Sequence, residues 1–243
     1  MNNKVAMITG ASVGIGRAVA LQMARKGAKL VLLDINKETL LSVEKEVSSL
    51  GIEVISFACD IANQEEVNEV AKRAFEKFGK IDVLINNAGL WRNKEPFMET
   101  SIDKWKAYID VNVLGTVYCT KAVLQSMIDN GYGRIVNVAS VAGIYGNANM
   151  TMYSATKGAV IAMTKALAKE VASSGVIVNS VSPGTVSSSE NLDVTFSKES
   201  LLSYAGRTGT CEENADLICF LASEKNGYII GQNIQIDGCR KRV

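Results

Sequence analysis

The sequence predicts an α/β protein built on one doubly wound sheet of seven parallel strands, with helices on both faces. Short β-branched runs alternate with longer stretches of helical period along the whole chain. The 243 residues are 47% hydrophobic, enough for one large core. No Pro/Gly linker, repeat or low-complexity tract divides them, so residues 1–243 are expected to form a single domain.

The first strand is read at residues 5–9 (Val-Ala-Met-Ile-Thr), followed at once by a glycine-rich turn and a helix at 14–26. Further strands are read at 30–34, 54–58, 81–85, 134–138, 176–179 and 233–237. Most are continuously apolar, as strands covered on both faces are. Helical stretches at 37–50, 63–78, 102–127, 152–172 and 212–221 lie between them. The long segment 184–210 lacks clear period, is rich in Ser and Thr, and follows a strand's C-terminal end. Ligands bind at that edge of a doubly wound sheet, so this segment is expected to serve as a substrate lid.

Lys and Arg number 26 against 25 for Asp and Glu, a net charge of +1, which gives no field favouring nucleic acid or an anionic membrane. The chain starts Met1-Asn2-Asn3-Lys4 with no signal-like apolar region, and no apolar run is long enough to span a bilayer. A soluble, cytoplasmic protein is expected. Cys59, Cys119, Cys211, Cys219 and Cys239 are odd in number, scattered and without a C-x-x-C pair, so they read as free thiols, mostly in the core, and no metal is expected. The chain has no histidine. That removes Ser-His-Asp hydrolysis, Cys-His proteolysis and the usual catalytic zinc sites, and leaves acid–base work to Tyr, Lys, Asp, Glu or Cys.

The turn after the first strand reads Thr9-Gly10-Ala11-Ser12-Val13-Gly14-Ile15-Gly16 and opens a helix. Gly10, Gly14 and Gly16 let the backbone approach a pyrophosphate whose charge the helix N-terminal amides meet. Asp34 ends the second strand, where a carboxylate can accept from an adenosine ribose 2′-OH and repel a 2′-phosphate. This selects NAD over NADP, with Lys37 close by and Asp34 as a turn residue or helix cap being the other reading. Asp60 can accept from an adenine amino group or cap the next helix.

Tyr153 and Lys157 are spaced i, i+4 and so share one helix face. An ammonium beside a phenol favours the phenolate, which is expected to lower the Tyr153 pKa. Ser140 follows the strand read at 134–138, whose C-terminal edge meets the same cleft, and its hydroxyl can donate to a substrate carbonyl oxygen.

Taken together these residues resemble the classical short-chain dehydrogenase/reductases over essentially the whole chain. Thr9-Gly10-x-x-x-Gly14-Ile15-Gly16 is similar to that family's cofactor loop, Asn86-Asn87-Ala88-Gly89 to its sheet-stabilising motif, and Asn112 to its active-site Asn. Ser140, Tyr153 and Lys157 resemble its catalytic set, and Pro183-Gly184 its post-strand turn. The resemblance implies a Rossmann-like fold and interconversion of a secondary alcohol and a ketone. It casts Tyr153 as acid/base, Ser140 as the group orienting the oxygen, Lys157 on the nicotinamide ribose, and Asn112 as holder of a relay water. It further implies cofactor contacts from Ser12, Ile15, Asp60, Asn87, Gly89, Pro183, Gly184 and Val186, and a homotetramer packed through the helices at 102–127 and 152–172. Two departures stand out: Val13 replaces an Arg common in NADPH-using relatives, and Cys239 stands where many have a second Gly.

For the substrate, Leu90, Trp91, Val141, Tyr145, Met150, Met152, Leu192, Val194 and Phe196 are expected to form an apolar, Met-bearing wall. That wall suits a bulky hydrophobic alcohol or ketone, for which a steroid or bile acid is the favoured example. The alternatives are a 3-oxoacyl-(acyl-carrier-protein) reductase, resembled by Gly206-Arg207-Thr208-Gly209 and the segment after it, and a sugar or polyol dehydrogenase. An idle dinucleotide-binding sensor on the same fold is the remaining class, opposed by the intact set Asn112, Ser140, Tyr153 and Lys157.

Overall fold

The computed structural model describes residues 1–91, 94–187 and 202–241. Its centre is a seven-stranded sheet: β1 (Val5–Thr9), β2 (Lys29–Asp34), β3 (Val54–Ala58), β4 (Val83–Asn86), β5 (Gly133–Val138), β6 (Val176–Pro183) and β7 (Asn233–Ile236). The strand order is β3-β2-β1-β4-β5-β6-β7 and every neighbouring pair is parallel. The chain winds outward from β1 to β3, then returns to lay β4 against the other side of β1. A crevice therefore opens between β1 and β4 at their C-terminal ends, where such sheets bind ligands.

The period of two along β1 builds two cores. Ala6 and Ile8 pack with Val19, Val43 and Ile218, which come from α1 (Gly14–Arg25), α2 (Lys37–Ser49) and α8 (Cys211–Leu221). Val5 and Met7 pack on the opposite face with Val70, Val123 and Val171, from α3 (Gln64–Phe78), α5 (Gly115–Asp129) and α7 (Thr151–Val171). Side-chain caps set where several helices begin: Asn36 for α2, Asn63 for α3 and Thr210 for α8, the last a reciprocal capping box with Glu213.

Three elements differ from the sequence reading. The helix expected at 102–127 is two, α4 (Ile102–Ile109) and α5, joined by a π-turn over Asp110–Leu114. The extra residue in that turn swings Asn112 inward to hydrogen-bond Leu90 and Thr156, a tertiary reason that helical period cannot carry. β6 runs on to Pro183 because its polar residues are satisfied: Ser180 and Ser182 both donate to Asn233 Oδ1, and Asn179 donates to the Ile229 carbonyl. A short helix α6 (Ala142–Tyr145), which was not expected, follows β5.

A polar ladder crosses the sheet beneath the crevice. Asn86 Nδ2 donates to Thr120 Oγ1 at 3.1 Å and Asn137 Oδ1 at 2.9 Å, and Asn137 Nδ2 donates to Thr164 Oγ1 at 2.9 Å. It pins β4 and β5 to α5 and α7. Cys59, Cys119, Cys211 and Cys219 are buried and Cys239 is exposed, all as free thiols. Among the described residues no helix is long and apolar enough to cross a membrane, and no cluster of metal-ligating side chains occurs.

Candidate active site

The glycine turn sits against the end of β4. A Cβ added at Gly10, which has φ +63°, would lie 2.8 Å from Ala88 Cα, and one at Gly16 would overlap the Gly10 carbonyl oxygen. Asn87 holds this packing, its Nδ2 donating to the Thr9 and Gly10 carbonyls at 3.1 and 2.9 Å. α1 then starts from Val13 with no side-chain cap and no acidic residue in its first turn. Uncapped amides at the start of a buried helix beside a glycine turn are what a pyrophosphate requires, so Gly10, Ser12, Gly14, Ile15 and Gly16 fit a dinucleotide.

Asp34 reaches the turn from the end of β2. Its Oδ2 accepts from Ser12 N at 3.1 Å and its Oδ1 from Asn36 N at 3.0 Å. The carboxylate is thus a loop organiser, and its remaining lone pairs can still accept a ribose hydroxyl. The helix-cap reading of Asp60 does not hold, because Asn63 caps α3 while Asp60 Oδ1 accepts from Ala62 N at 2.9 Å. Pro183, Gly184 and Val186 lie at the end of β6, where Val186 bridges to Gly209 and Gly209 N donates to the Thr185 carbonyl at 3.0 Å.

Ser140, Tyr153, Lys157 and Asn112 converge at the C-terminal ends of β4 and β5. Ser140 Oγ accepts from Ala142 N at 3.1 Å, which leaves its own proton to donate. Lys157 is buried and donates to the Val138 carbonyl at 2.7 Å, with its nitrogen 5.8 Å from the Tyr153 ring centroid. Glycine at position 89 keeps this space open, since a Cβ there would come within 3.2 Å of Lys157 Nζ.

One expectation is corrected here. Lys157 does not lower the Tyr153 pKa: burial pushes that phenol up, the neighbouring Ser140 hydroxyl offsets only part of it, and Tyr108 adds to the rise. Burial instead acts on Lys157 itself, bringing it down to about 8. The Asn112 side chain is tied into the protein. Its Oδ1 accepts from Leu90 N at 2.6 Å and its Nδ2 donates to the Leu90 carbonyl and Thr156 Oγ1, which leaves it 1% exposed.

The expected substrate wall divides. Trp91 and Tyr145 are exposed, Tyr145 donating to Gln235 Oε1 at 2.7 Å. Val141, Met150 and Met152 are buried in the protein and present little surface to a ligand. Leu192, Val194 and Phe196 lie outside the described residues, as does the middle of the lid expected at 184–210. Sequence reasoning missed α6, the buried Tyr108 against Tyr153, and the partners Asn137, Thr120 and Thr164 through which Asn86 of the expected sheet-stabilising motif acts. Only the polar residues inside strands, Asn86 and Asn137, offered a signal for any of these.

A short chain dehydrogenase family model matches residues 4–199. The chain is 41% identical over 242 residues to the 3-oxoacyl-(acyl-carrier-protein) reductase of Thermotoga maritima, covering 98% of each chain. Among solved structures it superposes on an NAD+-bound xylitol dehydrogenase with TM-score 0.92 at 33% identity, covering 98% of both chains. It superposes on the 3-ketoacyl-(acyl-carrier-protein) reductase of Brucella melitensis, complexed with NADH, with TM-score 0.91 at 32% identity and the same coverage. With this match along its whole length and the motifs above in place, the chain belongs to the short chain dehydrogenase family, oxidoreductases that act on CH–OH groups with a nicotinamide cofactor.

Proposed function

We propose that this protein reduces the 3-oxo group of an acyl thioester to the 3-hydroxy alcohol with NADH, Tyr153 giving the proton. The observation that carries the reading is the convergence of Ser140, Tyr153 and Lys157 beside the cofactor turn, in a chain 41% identical end to end to a 3-oxoacyl-(acyl-carrier-protein) reductase. The steroid or bile-acid reading has less support, since Val141 and Met150 are buried rather than lining an apolar wall. NADH is favoured over NADPH by Asp34, whose carboxylate faces the loop at Ser12.

The bound nicotinamide supplies the hydride. The chain's own residues manage the proton and the developing negative charge. A phenol whose pKa is raised by burial stays protonated at neutral pH, so Tyr153 is ready to donate to the carbonyl oxygen. Ser140 offers a second donor to that oxygen, its lone pair anchored by Ala142 N. Lys157 keeps an amine with pKa about 8 at the floor of the site, able to lose or regain a proton under working conditions.

The test is turnover of acetoacetyl-CoA, a 3-oxosteroid and a small sugar ketone with NADH and with NADPH. Reduction of acetoacetyl-CoA with NADH supports the reading, and activity confined to the steroid would restore the bulky-substrate alternative. The proposal includes a cytoplasmic homotetramer packed through α4, α5 and α7. Ile102 on α4, 67% exposed, supports that packing, and light scattering on the purified chain tests it.

A further inference from the structure

We propose that Tyr108 is a positioning residue which, together with Asn112, braces Tyr153 at two points and fixes the plane of its ring. The proposal rests on the reading of Tyr153 as the acid/base. Tyr108 is the one buried residue of α4, at 4% exposure, while Ile102 and Ile109 of the same helix are exposed. A general apolar face therefore does not account for its burial.

Its ring meets that of Tyr153 in a T-shaped contact, with centroids 6.5 Å apart and planes at 82°. Such a contact is directional, because the electropositive edge of one ring faces the electronegative face of the other. An aliphatic side chain of similar volume fills the space without fixing an angle.

The second point lies four residues on. Asn112 Nδ2 donates to Thr156 Oγ1 at 3.0 Å, and that hydroxyl donates to the Tyr153 carbonyl at 2.9 Å. The π-turn over Asp110–Leu114 brings Asn112 to this position. Tyr108 thus holds the ring of Tyr153, and Asn112, through Thr156, holds its backbone. A proton donor works only when kept near its productive geometry, so a looser ring lowers turnover without touching cofactor affinity.

The full chain carrying ring-13C-labelled tyrosine is observed by NMR, with Tyr153→Phe assigning the Tyr153 signal. That signal is expected to shift in Tyr108→Leu and to hold its position in Tyr108→Phe, which keeps the ring. In acetoacetyl-CoA reduction, kcat is expected to fall about 10- to 100-fold in Tyr108→Leu with KM for NADH unchanged. In Tyr108→Phe it is expected to stay within about threefold, the ring contact being retained. Thr156→Val removes the second arm at nearly constant shape and is expected to shift the Tyr153 signal as well, so the test stands even where Tyr108→Leu does not fold. An unshifted Tyr153 signal in folded Tyr108→Leu or Thr156→Val, or wild-type kcat in Tyr108→Leu, overturns the brace. Full turnover in Tyr153→Phe would instead sink the acid/base reading and leave the NMR result to judge the brace alone.

Discussion

Lys157 donates to the carbonyl oxygen of Val138 at 2.7 Å and keeps its nitrogen 5.8 Å from the centre of the Tyr153 ring. An amine buried in this way, with a neutral acceptor and no carboxylate in contact among the described residues, pays for its place in lost hydration. That strain has measurable consequences for stability and for catalysis.

Lys157→Met should stabilise the fold at neutral pH while abolishing turnover. Burial takes the Lys157 pKa from 10.5 to about 8, so the folded chain binds fewer protons than the unfolded one between those values. Stability then rises with pH across that window, and the charged amine is most costly below it. The shift corresponds to about 3 kcal/mol as an upper figure. Urea unfolding at pH 7 and pH 10 checks this: the gain of Lys157→Met over wild type should be largest at pH 7 and shrink toward pH 10. A gain independent of pH would mean that Lys157 is not strained by its charge.

The raised Tyr153 pKa sets the direction of the pH profile. Ketone reduction needs the protonated phenol, so kcat/KM should be level through neutral pH and fall only in the alkaline range; alcohol oxidation should rise with pH instead. The Ser140 hydroxyl lowers the Tyr153 pKa, so in Ser140→Ala the alkaline break in the reduction profile should move upward. A break that stays in place would belong to Lys157, which titrates near 8.

The strands, both cores and the glycine turn were legible because each is a local pattern: continuous apolar runs, helical period, and Gly10, Gly14 and Gly16 between a strand and a helix. The set Ser140, Tyr153 and Lys157 was legible through spacing and the absence of histidine. The electrostatics were not, because the i, i+4 spacing of Tyr153 and Lys157 says they are neighbours but not that the amine turns to Val138. The partners of the Asn112 side chain were out of reach for a related reason, since its bonds to Leu90 and Thr156 exist only once α4, the π-turn and α7 have packed. Cys239 shows the limit in another form: it adopts φ +60°, a conformation that glycine takes freely, and the chain accommodates the side chain by leaving it exposed.

Asp34→Ala should lower NADH affinity and narrow the preference for NADH over NADPH. The substitution removes the acceptor for Ser12 N and for Asn36 N, which loosens the glycine turn, and also removes the charge that repels a 2′-phosphate. Losing a charged acceptor from backbone donors weakens the site by about 1–3 kcal/mol, so NADH binding followed by fluorescence should fall roughly tenfold or more. An unchanged ratio of kcat/KM for the two cofactors would show that Asp34 organises the turn without selecting between them.

Gly143→Ala should damage both stability and turnover, and more severely than Gly158→Ala. α6 crosses α7 so closely that a Cβ at Gly143 would lie 2.6 Å from the Lys157 carbonyl carbon and 2.7 Å from Gly158 N, backbone atoms with no rotamer to yield. The helix must therefore back away from α7. Ala142, next in the chain to Gly143, donates the hydrogen bond that holds Ser140 Oγ, so the retreat displaces a proposed catalytic donor along with the packing. Overpacking of this kind costs about 1–3 kcal/mol. A Cβ at Gly158 meets only the Gly143 carbonyl oxygen, at 3.3 Å, a contact that a shift of a few tenths of an ångström relieves. Thermal unfolding and kcat of the two variants check the contrast: equal, small losses in both would mean that the α6–α7 crossing has slack and that Ser140 is held by β5 alone.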